Sequence, residues 1–196
     1  GNPEDILKEI EKTTGANKIF WNRCYEPWRI SRDKEIKKNL NNNALTVKSF
    51  NGSLLYEPLN VLKEDGTPYK VFTPFYKKGC LTRGGEPRSP IAKPDKFNFY
   101  LYQRLSLDQL DLMPKINWYK EMQNEWCPGE EGAKNRLNAF MENGLAGYKE
   151  GRNFPSQANV SRLAPHLHFG EISPNQAWYE AKSTMIALEC EKDGAH

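Results

Sequence analysis

Apolar residues in this chain fall into short clusters separated by polar turns, and two periodicities alternate. Ile6, Leu7 and Ile10 share one face at helical spacing, which predicts a helix over 3–14. Asn2-Pro3 opens it, Glu4 and Asp5 occupy its first turn, and Gly15 closes it. The run Lys18-Ile19-Phe20-Trp21-Asn22 predicts a buried strand, so that helix, glycine turn and strand make half of a β-α-β unit. Residues 23–28 (RCYEPW) read as a loop at the strand's C-terminal end, where ligands collect in open α/β sheets. A helix capped by Ser31 is expected over 31–40 and ends at Asn41-Asn42-Asn43. Strands are expected over 44–50 and 53–56, with Asn51-Gly52 turning between them; they pair with each other as a hairpin or run to different neighbours.

Polarity and turn residues then dominate. Residues 63–69 read as a loop, and 71–80 (VFTPFYKKGC) as a helix with Thr73 at its N-cap, Pro74 as its first residue, and Phe72, Phe75 and Tyr76 as packing residues. Residues 83–98 hold Gly84, Gly85, Pro87, Pro90 and Pro94 among charges, which marks a linker and a domain boundary. Short helices are expected over 106–112 and 118–126. A longer one starts at Pro128-Gly129-Glu130-Glu131 and carries the stripe Ala133, Leu137, Phe140, Met141 and Leu145. Ser173-Pro174-Asn175-Gln176 fits a capping box ahead of a helix reaching about 188, and 189–196 are expected to fray.

Composition narrows the class. The 196 residues are 38% hydrophobic and 12% aromatic, and the mean hydropathy is −0.80. That is polar for a compact domain but too aromatic for a disordered one, as expected of a piece of a larger protein. No methionine precedes Gly1, so the chain is expected to begin inside a longer gene product. The net charge of +3 does not by itself imply nucleic acid. Cys24, Cys80, Cys127 and Cys190 form no C-x-x-C pair; reduced, structural thiols of a cytosolic protein are expected, with neither zinc nor dithiol chemistry. No apolar run approaches the ~20 residues of a membrane span, and no signal peptide is visible.

Candidate chemistry gathers in 148–176 (YKEGRNFPSQANVSRLAPHLHFGEISPNQ). Pro165 disfavours helix at Ala164, so the next helix starts near Pro165 and leaves the amides of 160–164 without intrahelical partners. Free amides there suit a phosphate, to which Ser161 adds a hydroxyl and Arg162 a fixed charge. The alternative is an ordinary turn with a solvated or capping Ser and Arg. His166 and His168 are two apart, so on a helix one packs and one is exposed, and they do not chelate a metal. Glu26 stands between Tyr25 and Pro27-Trp28, where a carboxylate could hold a heterocycle through two N–H groups or lie on the surface.

Four blocks, WNRCYEPW, YKVFTPFYKKG, YKEGRNFP and VSRLAPHLHFGEISPNQAW, resemble the photolyase/cryptochrome family in order and spacing, with wording similar to its bacterial pyrimidine-dimer photolyases. The resemblance implies α/β plus all-α architecture: the C-terminal part of a Rossmann-like antenna domain (1–82), an irregular linker (83–127) and the first helices of an FAD-binding helical domain (128–196). It implies a parent that splits pyrimidine dimers in damaged DNA by electron transfer from reduced FAD, with a folate or deazaflavin antenna chromophore. Tyr148 matches a tyrosine near the FAD diphosphate. Val160, Ser161, Arg162, Leu163 and Ala164 match the family's T-S-x-L-S loop, with Val160 and Ala164 each lacking its hydroxyl. Arg152 matches a basic position on the DNA-binding face. Glu26 lies in the antenna-side loop, where Trp28 and Arg29 replace the folate-holding Asn-Glu pair. The 196 residues alone are expected to bind little flavin and to be inactive in repair. A blue-light receptor of the cryptochrome type, or a flavin-free binding module derived from the family, are the alternatives.

Overall fold

The computed structural model describes residues 1–41, 45–100, 106 and 108–188. Expectations for the asparagine stop at 42–43, the strand start at Ala44, Leu107, Cys190 and the frayed tail lie outside the described residues. The backbone gathers into two compact units, Gly1–Gly52 with Pro94–Asp111, and Ser53–Lys93 with Leu112–His196.

The first unit is a small β-α-β arrangement. Helix α1 (Pro3–Thr14) has Asn2 at its N-cap, its side chain accepting from the Glu4 N–H, Pro3 in the first turn, and Gly15 in the left-handed region (φ 67°) at its C-cap. Strand β1 (Lys18–Asn22) pairs in parallel with β2 (Thr46–Phe50), Lys18 opposite Thr46 through Asn22 opposite Phe50. Helix α2 (Pro27–Leu40) is the crossover that parallel pairing requires. Ile36, Leu40, Leu45 and Val47 form the core, with Leu7, Ile19 and Trp21 packed on it. Four expectations change here. The strand β1 is half-buried, alternating exposed and partly covered residues. Of the α1 stripe only Leu7 packs, while Ile6 and Ile10 are about half exposed. Residues 53–56 are irregular and form no strand, so no hairpin with 44–50 exists, and β2 pairs with β1 instead. Pro27, not Ser31, starts α2, and the Ser31 hydroxyl donates back to the Pro27 carbonyl inside it; proline's fixed φ suits a first turn, so Trp28 is helical.

The second unit opens with a 3-10 turn at Pro58–Val61. A single α turn, α3 (Phe72–Pro74), follows Val71 at the N-cap and runs directly into a π-helical segment, Phe75–Arg83. Thr73 therefore caps nothing. Phe72 is exposed and stacks on Tyr76 (5.9 Å), and Phe75 meets Tyr69 edge-on. The expected helix at 106–112 reduces to a 3-10 turn at Asp108–Leu110, which belongs to the first unit. Helices α4 (Lys120–Glu125), α5 (Glu130–Asn143), α6 (Tyr148–Gly151), α7 (Ala164–Phe169) and α8 (Pro174–Ala187) follow. The Ser173–Gln176 capping box of α8 is complete. Ala133, Leu137, Leu163 and Ile172 make the core, with Met141, Leu167 and Ala177 against it. Among the described residues no helix is long and apolar enough to cross a membrane.

Candidate functional site

The site is built by the return of the chain from α5 to α7. At Gly132 a side chain would collide with the Cys127 carbonyl, so the start of α5 lies directly on the preceding turn. Ala133 and Leu137 of α5 then face Leu163 and Ile172. At the far end, the Asn159 side-chain amide donates to the Gly144 carbonyl (3.0 Å), and its side chain fills the space a residue larger than glycine would take at Gly147 and Gly151. This pins the loop ahead of Val160 against α5 and α6.

Beyond that pin the backbone makes a sharp, uncommon turn. Arg162 has φ 52°, in the left-handed region, which few non-glycine residues adopt. Leu163 follows at φ −82°, ψ −4° in the right-handed region. A left-handed residue next to a right-handed one turns successive amides to the same side, a concavity suited to an anion. Leu163, 4% exposed, is the anchor that holds this geometry. The Ser161 hydroxyl accepts from the Leu163 N–H at 3.4 Å. Helix α7 begins at Ala164 rather than at Pro165, which takes the second helical position.

The turn opens onto a cleft of about 1240 Å³ whose walls include Trp126, Arg136, Phe140, Val160, Ser161 and Arg162. Two guanidiniums bracket Trp126, Arg136 at 4.7 Å and Arg162 at 5.3 Å from the ring centroid. Glu125 sits on both cations: its carboxylate is 2.6 Å from Arg162 Nη1 and 3.6 Å from Arg136 Nη2, and Arg136 also donates to its carbonyl at 2.8 Å. The cleft thus carries two cations, Arg162 about half exposed and Arg136 largely covered, with hydroxyls and an indole face, and one carboxylate partly offsets the charge.

Of the sequence candidates, Val160, Ser161 and Arg162 come together on this cleft. Leu163 is core and Ala164, though exposed, does not line it. Tyr148 stands behind, edge-on to Phe140 (6.0 Å), with Arg152 over its ring (5.5 Å). Glu26 belongs to the first unit, where it occupies the N-cap position of α2 without a side-chain capping bond and pairs with Arg29 at 3.6 Å. Sequence reasoning missed Glu125, Trp126 and Arg136. Glu125 and Arg162 are 37 residues apart, and no local pattern announces such a pair.

His166 packs and His168 is exposed, as expected of that spacing. Gly170 (φ 72°) turns the chain so that Glu171 reaches back to His166, with Oε2 2.5 Å from Nδ1. The His166 ring also meets Trp126 edge-on at 6.0 Å. Among the described residues no group of three His, Cys, Asp or Glu could hold a metal. The hydrogen bond from His166, reinforced by the Gly129 N–H, holds the Glu171 carboxyl below its ordinary pKa. A depressed carboxyl contributes stability above the unfolded carboxylate pKa of about 4.3 and loses it as pH falls through its folded value. Urea midpoints of the wild type should therefore fall below pH ~4, and Glu171→Gln should flatten that acid limb; an unchanged acid limb would count against the pair.

The profile of the DNA photolyase family matches residues 1–94. A deoxyribodipyrimidine photo-lyase of Agrobacterium fabrum is 40% identical over 185 residues, covering 93% of this chain and 38% of that protein. Cryptochrome-1 of Arabidopsis thaliana is 32% identical over 183 residues, covering 92% of this chain and 27% of that protein. The crystal structure of a class III photolyase from Agrobacterium tumefaciens superposes with a TM-score of 0.88 at 37% identity, covering 98% of this chain and 40% of that one. The chain thus spans well under half the length of these relatives. Four ordered motifs, a profile match and a shared fold agree: the chain belongs to the DNA photolyase/cryptochrome family.

Proposed function

We propose that this chain is part of a light-dependent DNA repair flavoenzyme, a deoxyribodipyrimidine photo-lyase, whose whole form binds damaged DNA and FAD. In this reading residues 1–82 belong to a Rossmann-like antenna domain, 83–127 to a linker, and 128–196 to the start of the helical FAD-binding domain. The observation that carries it is the left-handed Arg162 turn opening onto a cleft with two guanidiniums. The donor set there, cations, hydroxyls and turn amides, fits a diphosphate. Bound in reduced form, FAD supplies the electron that opens a pyrimidine dimer flipped from the duplex.

The chain's own residues hold and orient that group. Ser161 offers a hydroxyl, and Arg162 and Arg136 neutralise charge. Leu163 fixes the turn from the core. Val160 and Ala164 bring no hydroxyl, so the backbone amides carry more of the load. Tyr148 steadies the Phe140 wall from behind. Arg152 is exposed and available to a DNA phosphate, which positions rather than specifies. Glu26 offers a half-exposed carboxylate to an antenna heterocycle, a folate or a deazaflavin.

Glu125 already occupies Arg162, so an anion must displace it. Calorimetric titration of the 196-residue chain should accordingly show weak FAD binding, with riboflavin, which lacks the diphosphate, about tenfold weaker again. Arg162→Ala should lose about tenfold in FAD affinity, and Glu125→Gln should gain several-fold. Equal affinity for FAD and riboflavin, or tight stoichiometric flavin in the purified chain, would contradict this reading. Similarity to Cryptochrome-1 favours a second reading, a light-driven conformational receptor; dimer repair by the whole protein under blue light separates the two.

A further inference from the structure

His166 is 2% exposed, the largest fully buried side chain among the described residues. A leucine would fill such a place with no hydrogen bond to satisfy. On the diphosphate reading above, we propose that His166 and Glu171 are positioning residues: through the Gly129 turn they hold Glu125 and Trp126 against the Arg162 turn, and so set how well that turn takes a diphosphate. Neither residue lines the cleft.

A single hydrogen bond orients the His166 ring. Its Nδ1 lies 2.5 Å from Glu171 Oε2, while Nε2 is shut off from solvent and has no partner among the described residues. An ionised carboxylate only accepts, so Nδ1 carries the proton and donates it. That bond sets the plane of a ring that meets Trp126 edge-on, centroids 6.0 Å apart.

Glu171 also reaches a second element. Its carboxylate accepts from the N–H of Gly129, the N-cap residue of α5. Gly129 has φ 101° and directly follows Glu125-Trp126-Cys127-Pro128. Glu125 and Trp126 in turn meet Arg162, at 2.6 Å from the carboxylate and 5.3 Å from the ring centroid. The contacts close a ring: Arg162 to Glu125 and Trp126, Trp126 to His166, His166 to Glu171, and Glu171 back to the turn that carries Glu125 and Trp126. An anion that displaces Glu125 must therefore shift Trp126 against His166. A site held in its binding geometry beforehand loses less on binding. With Glu171 cut away, the ligand itself must order the turn.

Calorimetry on the 196-residue chain with FAD, riboflavin and inorganic pyrophosphate tests this. Glu171→Leu should remove the roughly tenfold preference of the wild type for FAD over riboflavin, and should weaken pyrophosphate by a similar factor. Glu171→Gln keeps an oxygen for the His166 and Gly129 donors and should hold the preference within about twofold. His166→Leu should match Glu171→Leu, and the double variant should lose no more than either alone, since residues that act as one unit are not additive. A preference retained in Glu171→Leu, or lost as fully in Glu171→Gln, overturns the proposal and leaves the diphosphate reading intact. Equal binding of FAD and riboflavin by the wild type overturns both. Where the leucine variants do not fold, the wild type decides. The buried, hydrogen-bonded Nδ1 proton of His166 gives a slowly exchanging downfield NMR signal, which pyrophosphate should shift saturably although His166 lines no part of the cleft. A signal that stays in place while calorimetry shows pyrophosphate bound overturns the proposal.

Discussion

Replacing Leu163 with alanine is expected to cost about 2–5 kcal/mol of stability, the range for emptying a buried leucine site. Leu163 is 4% exposed and touches the Ala133, Leu137 and Ile172 cluster, where α5 and the α7 entry meet with little room to collapse. The change should also reach the cleft. Leu163 is the right-handed half of the turn whose left-handed half is Arg162, and strain of that kind persists only when its surroundings over-determine it. Once the anchor is cut, Arg162 should relax to negative φ and the amide concavity should open. Leu163→Ala should therefore lose both stability and FAD affinity, whereas Arg162→Ala loses affinity alone. Urea unfolding followed by tryptophan fluorescence, paired with the FAD titration, separates the two. A Leu163→Ala chain that unfolds at a lower urea concentration but keeps full affinity would show that the turn does not depend on its anchor.

The second large effect is at Gly132. Alanine is ordinarily the better helix residue, by about 1 kcal/mol over glycine, and Gly132 lies in the first turn of α5. Here the sign should reverse. An added Cβ would overlap the Cys127 carbonyl, which is backbone and cannot swing aside as a side chain does. Gly132→Ala should destabilise by about 3 kcal/mol, at the upper end of overpacking. Asn138→Ala, on the exposed side of the same helix, should be neutral or slightly stabilising. If both substitutions raise the urea midpoint, the start of α5 does not press on the Cys127 turn.

What could be read in advance divides by locality. Helices α1 and α8 announce themselves because their start signals are contiguous, Asn2-Pro3 in one and Ser173-Pro174-Gln176 in the other. The start of α2 was obscured because Pro27 follows a strand end and Ser31 offers a plausible later cap; proline's place in a first turn outweighs the serine. The partner of β2 is not written locally, since parallel pairing depends on a crossover of helix length. The π-helical turn has no apolar period of its own, and Gly79 within it and Gly84 just after it look like breakers until the tyrosine rings beside them are seen. In the cleft, the V-S-R-L-A run stood out by family likeness. The positive φ at Arg162 and the Glu125 partnership are properties of packing across dozens of residues.

Helix α8 also fastens the segment Glu86-Pro87-Arg88. Asn175 donates to the Arg88 carbonyl (2.7 Å), Tyr179 to the Pro87 carbonyl (2.6 Å), and Lys182 pairs with Glu86 (2.6 Å). These ties span 87 to 96 positions of sequence. During translation at about 5–20 residues per second, the earlier half of this unit waits roughly 4–20 s before its fastening exists. Throughout that interval the Tyr69, Phe75 and Tyr76 side chains lack the surface that Trp178 will complete. The nascent chain is therefore most vulnerable to aggregation and proteolysis between emergence of the π-helical turn and emergence of α8, and a pause in synthesis within that window would lengthen the exposure.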